Sequence, residues 1–168
     1  MPTKKDITPC SKCAAKTKRG SPCKLKTCKW SPYCHLHSPV DLRQSTIPNA
    51  GTGVYASRDI KKDTKVADYT VGTKPMAKAQ LNAAYPGDTT ATHVWGKNQN
   101  LFYDALPTVS NSIAGMFNTC RAVNKRRGEC KGNNTKVTHT GAIKTTKNVR
   151  KDEELFYGYG RDYRFSNE

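Results

Sequence analysis

Long apolar runs are missing from this 168-residue chain, acidic residues are scarce, and there is neither an internal repeat nor sustained helical periodicity. No stretch approaches the roughly twenty apolar residues that a membrane-spanning helix needs. The opening residues also lack the apolar core of a secretory signal. The expected product is soluble and intracellular, with no membrane partner. Against 29 Lys and Arg stand 13 Asp and Glu, a formal net charge of +16. Such an imbalance attracts polyanions, or proteins coated in them, with an affinity that falls as salt rises. The Gly-x-Gly at Gly51 and Gly53 has no third glycine and no helix after it, which excludes a dinucleotide site of the Rossmann type. At this length there is room for one ordinary domain with a small appendage.

Cysteine, by contrast, is plentiful. Five of the seven cysteines fall between Cys10 and Cys34, a clustering that in a reducing compartment favours metal binding over a disulfide framework. Residues 1–38 form a compositional unit with nine Lys or Arg against one Asp, and no hydrophobic pattern. Such a segment cannot fold on apolar burial, and a structural metal ion could supply the missing stability. Its potential ligands are Cys10, Cys13, Cys23, Cys28, Cys34, His35 and His37, more than a tetrahedral site takes. The run Cys13-Ala-Ala-Lys-Thr-Lys-Arg-Gly-Ser-Pro-Cys23, followed by Tyr33-Cys34-His-Leu-His37, resembles a zinc-knuckle-like module common in viral and phage proteins. The resemblance implies Cys13, Cys23, Cys34 and His37 as the ligands of a structural zinc ion, and hints at a virus-encoded protein. Cys10 and Cys28 lie outside the pattern and remain open as a second pair, alternative ligands or free thiols, while His35 is expected to face solvent. Lys16, Lys18, Arg19, Lys24, Lys26 and Lys29 would stud the surface of this module, a density that fits phosphate contact better than a merely solvated face.

The rest of the chain reads as short strands with little helix. Pro39, Pro48 and the turn at Asn49-Ala-Gly51 mark residues 39–48 as a linker. Strands are expected after the glycine turn towards Ile60 and at Lys65–Val71, with a turn at Lys61-Lys62-Asp63 between them. Met76–Ala84, rich in Ala, Lys, Gln and Leu and closed by Tyr85-Pro-Gly, is the one persuasive helix. His93–Trp95 and Leu101–Ala105 read as a hairpin, Ser112–Phe117 as a helical turn or two, and Thr135–His139 and Ala142–Thr146 as strands. A basic loop at 121–136 is expected to be exposed and able to touch nucleic acid. Four aromatic residues occupy the eight positions from Phe156 to Tyr163, with Gly158 and Gly160 between the rings. That alternation lets Tyr157, Tyr159 and the intervening peptide line one small cavity, or pack as a last edge strand.

Taken in order, these pieces resemble a SET domain, the fold of most protein lysine methyltransferases. Ala50-Gly-Thr-Gly-Val-Tyr-Ala-Ser-Arg-Asp-Ile60 is similar to the opening strand of that family, and Asp68-Tyr-Thr-Val-Gly72 to its acidic-Tyr-x-Gly element. Tyr103-Asp-Ala105 and Phe117-Asn-Thr-Cys120 stand for the next two motifs, and Lys147 to Gly160 for the closing signature. The resemblance implies a SET domain over residues 49–163 with a tail at 164–168. It implies a mostly β fold of small antiparallel sheets in which the segment at Asn118 and the terminal segment cross in a pseudoknot. S-adenosylmethionine would lie on one face, held by Gly51, Thr52, Gly53, Tyr55, Asn118, Thr119 and Tyr159. The target lysine would enter from the other face, past Tyr69 and Tyr157, with Tyr159 as the catalytic tyrosine.

A tyrosine at position 157 implies a narrow channel and transfer of one or two methyl groups. Thr119-Cys120-Arg121 replaces the usual His-Ser-Cys, no cysteine follows the closing signature, and Tyr163 or Phe165 could cover the cofactor instead. Cys120 and Cys130 read as plain thiols. The implied substrate is a histone tail or another nucleic-acid-associated protein, met in the nucleus, on chromatin or in a virion. The competing reading is an inactive SET-like, basic zinc-finger protein that binds nucleic acid or chromatin.

Overall fold

Most of the β-branched and aromatic runs become strands of two to five residues in the computed structural model, which describes residues 6–87, 91–120 and 132–159. In chain order they are β1 (Ser11–Lys12), β2 (Lys26–Thr27), β3 (Val40–Gln44), β4 (Thr52–Ala56), β5 (Lys65–Asp68) and β6 (Lys74–Ala77). The helix α1 (Lys78–Ala84) follows, then β7 (Val94–Gly96), β8 (Leu101–Asp104), a 3-10 turn at Ala114–Met116, β9 (Thr135–Val137), β10 (Ala142–Thr145) and β11 (Glu154–Leu155). Every ladder is antiparallel: a β1-β2 pair and three-stranded sheets ordered β11-β4-β3, β5-β10-β9 and β6-β8-β7.

The three larger sheets enclose the main apolar core, in which Val54, Val66, Tyr69, Ile113, Phe117, Ile143 and Leu155 are fully buried. Each such aliphatic or aromatic side chain contributes roughly 1.5–3 kcal/mol by leaving water. In β4 the four residues Gly53–Ala56 are all buried. This strand lies between β3 and β11, with both faces covered, so it shows no polar alternation.

Two sequence expectations shift here. The segment 39–48 is no linker, because residues 40–44 form β3 and pair with β4 from Val40↔Ala56 to Gln44↔Thr52. The alternation Val40-Asp-Leu-Arg-Gln44 is a strand pattern that the flanking prolines obscure. The helix begins at Lys78 rather than Met76, since Met76 and Ala77 are drawn into β6 opposite Phe102 and Leu101. The Ala77 N–H donates to Gln80 Oε1 at 2.8 Å, and the Tyr85 N–H to the Leu81 carbonyl, closing the helix at both ends.

The Cys/His module lies against the body. Trp30 packs on the main core, the Ile113 N–H donates to the Lys29 carbonyl, and Thr8 exchanges backbone bonds with Gly72 and Thr73. Gly72, at φ +68, sits where a Cβ would lie 2.9 Å from Cys28 Cβ, so a glycine is needed for this close approach. Cys10 and Cys28 form a disulfide one position beyond the β1-β2 ladder, which settles their open status as a second pair. Cys120 is also disulfide-bonded rather than a plain thiol. Cys130, Gly160, Tyr163, Phe165, residues 121–131 of the basic loop and the tail at 164–168 lie outside the described residues.

Candidate active site and metal centre

Three tyrosines from two distant parts of the chain meet at one place. Tyr69, at the end of β5, is fully buried, and its hydroxyl lies 2.7 Å from that of Tyr157. The Tyr157 and Tyr159 rings are 5.1 Å apart at 59°, and Tyr157 also tilts against Phe117. The Tyr159 hydroxyl donates to the Phe117 carbonyl at 2.8 Å. Because that proton is committed to a carbonyl, the phenol presents its lone pairs on the other side.

Trp95 in β7 adds a fourth ring, 6.0 Å from Tyr69 and 5.7 Å from Tyr103. Gly141 gives it room: a Cβ there would lie 2.9 Å from Thr70 Cγ2 and 3.0 Å from the Trp95 ring. The Gly141 carbonyl accepts the Tyr69 N–H as well. Trp95 was visible in the sequence only as a strand residue, since nothing local shows which rings a hairpin will face.

The segment at Asn118 runs parallel to the terminal segment. Asn118 bridges Phe156, the Tyr157 N–H donates to the Asn118 carbonyl, and the N–H groups of Asn134 and Thr135 both donate to the Phe156 carbonyl. Asn118 Nδ2 donates to the Thr52 carbonyl at 3.2 Å. Two consecutive residues, Phe117 and Asn118, thus tie the Tyr159 phenol to the turn of Gly51, Thr52 and Gly53. Gly51 (φ +71) and Thr52 are exposed, and no atom lies within 4 Å of where a Gly51 side chain would begin. Gly53 is different, because its missing Cβ would fall 2.2 Å from Glu154 Oε1. Tyr55 is buried, and its single hydroxyl proton is shared between the Gln44 carbonyl at 2.8 Å and Glu154 Oε2 at 3.1 Å. Burial, and then the charge of Glu154, push its phenol pKa up. Thr119 is also buried.

At the other end of the chain, Cys13, Cys23, Cys34 and His37 offer ligand atoms that all lie within 4.8 Å of one another. These three cysteines are buried and free. Cys34 Sγ lies 3.2 Å from His37 Nδ1, and Cys13 Sγ 3.6 Å from the same nitrogen. Burial pushes the Cys13 thiol up, but hydrogen bonds at Ala15, Cys34 and His37 outweigh it and bring it down to about 7. Three sulfurs and one imidazole at this spacing are the donor set of a tetrahedral structural zinc site, and the residues present fit that ion. His35 is exposed and outside the cluster.

Comparison with known proteins agrees with this geometry. A family model described as SET domain matches residues 51–160. A chain in the crystal structure of the Chaetomium thermophilum polycomb repressive complex 2 has a similar fold, with a TM-score of 0.54 at 19% identity. The likeness covers 74% of this chain and only 15% of that one, so it speaks for the fold alone. No curated protein sequence gives a significant match. With the match running through well over half of its residues, from the glycine turn to the terminal tyrosines, the chain belongs to the SET domain family.

Proposed function

We propose that this protein is an S-adenosylmethionine-dependent protein-lysine N-methyltransferase that acts on a histone tail or another nucleic-acid-associated protein. The observation that supports it best is the convergence of Tyr69, Tyr157 and Tyr159 on the Phe117-Asn118 segment, which itself reaches the glycine turn. When bound, the cofactor supplies a methyl group on a sulfonium, electrophilic without acid or base catalysis. Alignment is then the main task left to the chain. Gly51, Thr52, Gly53 and Asn118 would hold the cofactor, with buried Tyr55 and Thr119 supporting that surface from within.

The substrate amine must arrive neutral, because an ammonium has no lone pair with which to attack. Aromatic walls at Tyr69, Trp95 and Tyr157 disfavour the charged form and lower the lysine pKa. The Tyr159 oxygen, its proton given to Phe117, can accept weak C–H hydrogen bonds and fix the line of attack. The Tyr157 hydroxyl, bonded to Tyr69, fills space that extra methyl groups would need, which favours mono- or dimethylation. Cys13, Cys23, Cys34 and His37 would hold zinc in a purely structural role.

A second reading is favoured by the module's surface. Lys12, Lys16, Lys18, Arg19, Lys24, Lys26 and Lys29 are exposed, and none is in an ion pair among the described residues. Such a face binds phosphate backbones, and it would anchor the enzyme on chromatin or serve a SET-like protein without turnover. Incubation with labelled S-adenosylmethionine and histone octamers or whole lysate, followed by mass spectrometry of the modified lysines, separates the two. Methylated lysines support the enzyme. Salt-sensitive DNA binding with no calorimetric signal for the cofactor supports the inactive binder.

A further inference from the structure

Glu154 is a buried carboxylate, 6% exposed, with no ion-pair partner among the described residues. Its charge is met by hydrogen bonds alone. Ser45 Oγ donates at 2.7 Å, the Thr46 N–H at 2.8 Å, Thr46 Oγ1 at 2.6 Å, the Tyr55 hydroxyl at 3.1 Å and Asn118 Nδ2 at 3.2 Å. These donors come from the end of β3, from β4 and from the crossing segment. A buried anion satisfied in this way holds its donors firmly, because a lost bond leaves charge uncompensated.

Asn118 is the one half-buried member of this set. Its amide has two protons, and the two neighbours of Nδ2 are both acceptors, the Glu154 carboxylate and the Thr52 carbonyl. The side chain therefore cannot flip, since flipping would face its oxygen with two other oxygens. Its Oδ1 is left pointing away from Glu154. The same carboxylate lies against Gly53 and fills the place of its missing side chain.

We infer that Glu154 is a positioning residue for the cofactor site: it locks the Asn118 amide so that the amide oxygen, on the side away from the carboxylate, accepts from a cationic donor. The complementary ligand end is an ammonium, which S-adenosylmethionine carries. The inference rests on the function proposed above.

The test is a calorimetric double-mutant cycle on S-adenosylmethionine binding with Glu154→Gln, Asn118→Ala and the double variant, alongside the peptide KM. Glu154→Gln should raise the cofactor dissociation constant about tenfold or more, the scale of one hydrogen bond to a charged group. It should leave the peptide KM within about twofold, and in the Asn118→Ala background its effect should shrink to about twofold or less. Tyr55→Phe removes one donor without neutralising the carboxylate, and it should give the same pattern at about threefold if Glu154→Gln does not fold. Equal losses in both backgrounds, or a lowered Tm with unchanged cofactor affinity, would overturn the inference and leave Glu154 a stabilising residue. Wild-type protein that binds no S-adenosylmethionine would instead sink the methyltransferase reading itself, and the inference with it.

Discussion

The hydroxyls of Tyr69 and Tyr157 lie 2.7 Å apart although 88 positions separate them in the chain. The bond joins the end of β5 to the segment after β11 and makes one wall of the proposed lysine channel. Tyr157→Phe removes it together with one oxygen of bulk. The expected result is a shift of product towards the di- and trimethylated forms, with a stability loss of about 1 kcal/mol or less. Mass spectrometry of peptide products over time reads the first, and urea unfolding the second. An unchanged product distribution would mean that Tyr157 does not limit the channel.

Tyr159 acts at a different point. Its phenol is held by the Phe117 carbonyl, and Tyr159→Phe keeps the ring while removing the oxygen. Methyl transfer should fall about a hundredfold in kcat, the scale seen when one preorganised polar group is lost. Cofactor affinity should change little. Activity untouched by this substitution would defeat the assigned role.

The two glycines of the turn should behave differently under the same change. Gly51→Ala meets open space and suffers only from its φ of +71, a cost of about 1–2 kcal/mol. Gly53→Ala drives a methyl into Glu154 Oε1, 2.2 Å from the Cβ position. It should lose roughly 3 kcal/mol or more and disturb Ser45, Tyr55 and Asn118 along with Glu154. Thermal unfolding of the pair checks the order, and equal losses would show that the carboxylate moves aside without strain.

Metal removal should reach beyond the Cys/His module. Cys13, Cys23, Cys34 and His37 gather their donor atoms in one place, so a chelator titration of the zinc-loaded protein should release a single ion per chain. Trp30, Lys29 and Thr8 join the module to the core, to Ile113 and to Thr73, and Thr73 Oγ1 donates to the Tyr69 carbonyl. Hydrogen exchange should therefore rise over residues 10–37 and also around Tyr69–Thr73. Protection confined to its original level at Tyr69–Thr73 would show the module to be energetically separate.

Reduction of Cys10–Cys28 offers an independent perturbation of the same contact. The bridge closes a chain separation of 18 residues beside Gly72, and opening it should destabilise the module by roughly 2–4 kcal/mol. Cys28→Ser in a metal-loaded sample, followed by thermal unfolding, reads this loss without a reductant that competes for zinc.

Much of the fold was legible because its signals are local. The hairpin of β7 and β8, the strands β9 and β10 and the turn at Asp63 come from alternation and turn residues acting over a few positions. The resemblance implies Cys13, Cys23, Cys34 and His37 as ligands, and the structure brings the four donor atoms together. The strand β3 is obscured in the sequence because Pro39 and Pro48 frame it like a linker, although it forms a hairpin with the next strand, β4. Trp95 carries no local mark of a site residue, since the rings that a hairpin faces are set by the sheet it joins.

Glu154 shows the boundary most clearly. Charge, the clustering of cysteines and the order of family motifs are properties of the chain itself, carried by residue type and spacing, and the sequence alone determined them. An acidic pair ahead of an apolar pair says only that a strand is about to begin. Of the two, Glu153 stays exposed and accepts the Arg150 N–H, while Glu154 turns inward to five donors. Only the tertiary structure decided that, because the donors come from residues 45, 46, 55 and 118, and a buried carboxylate can exist only where packing has already gathered enough hydrogen bonds to replace water.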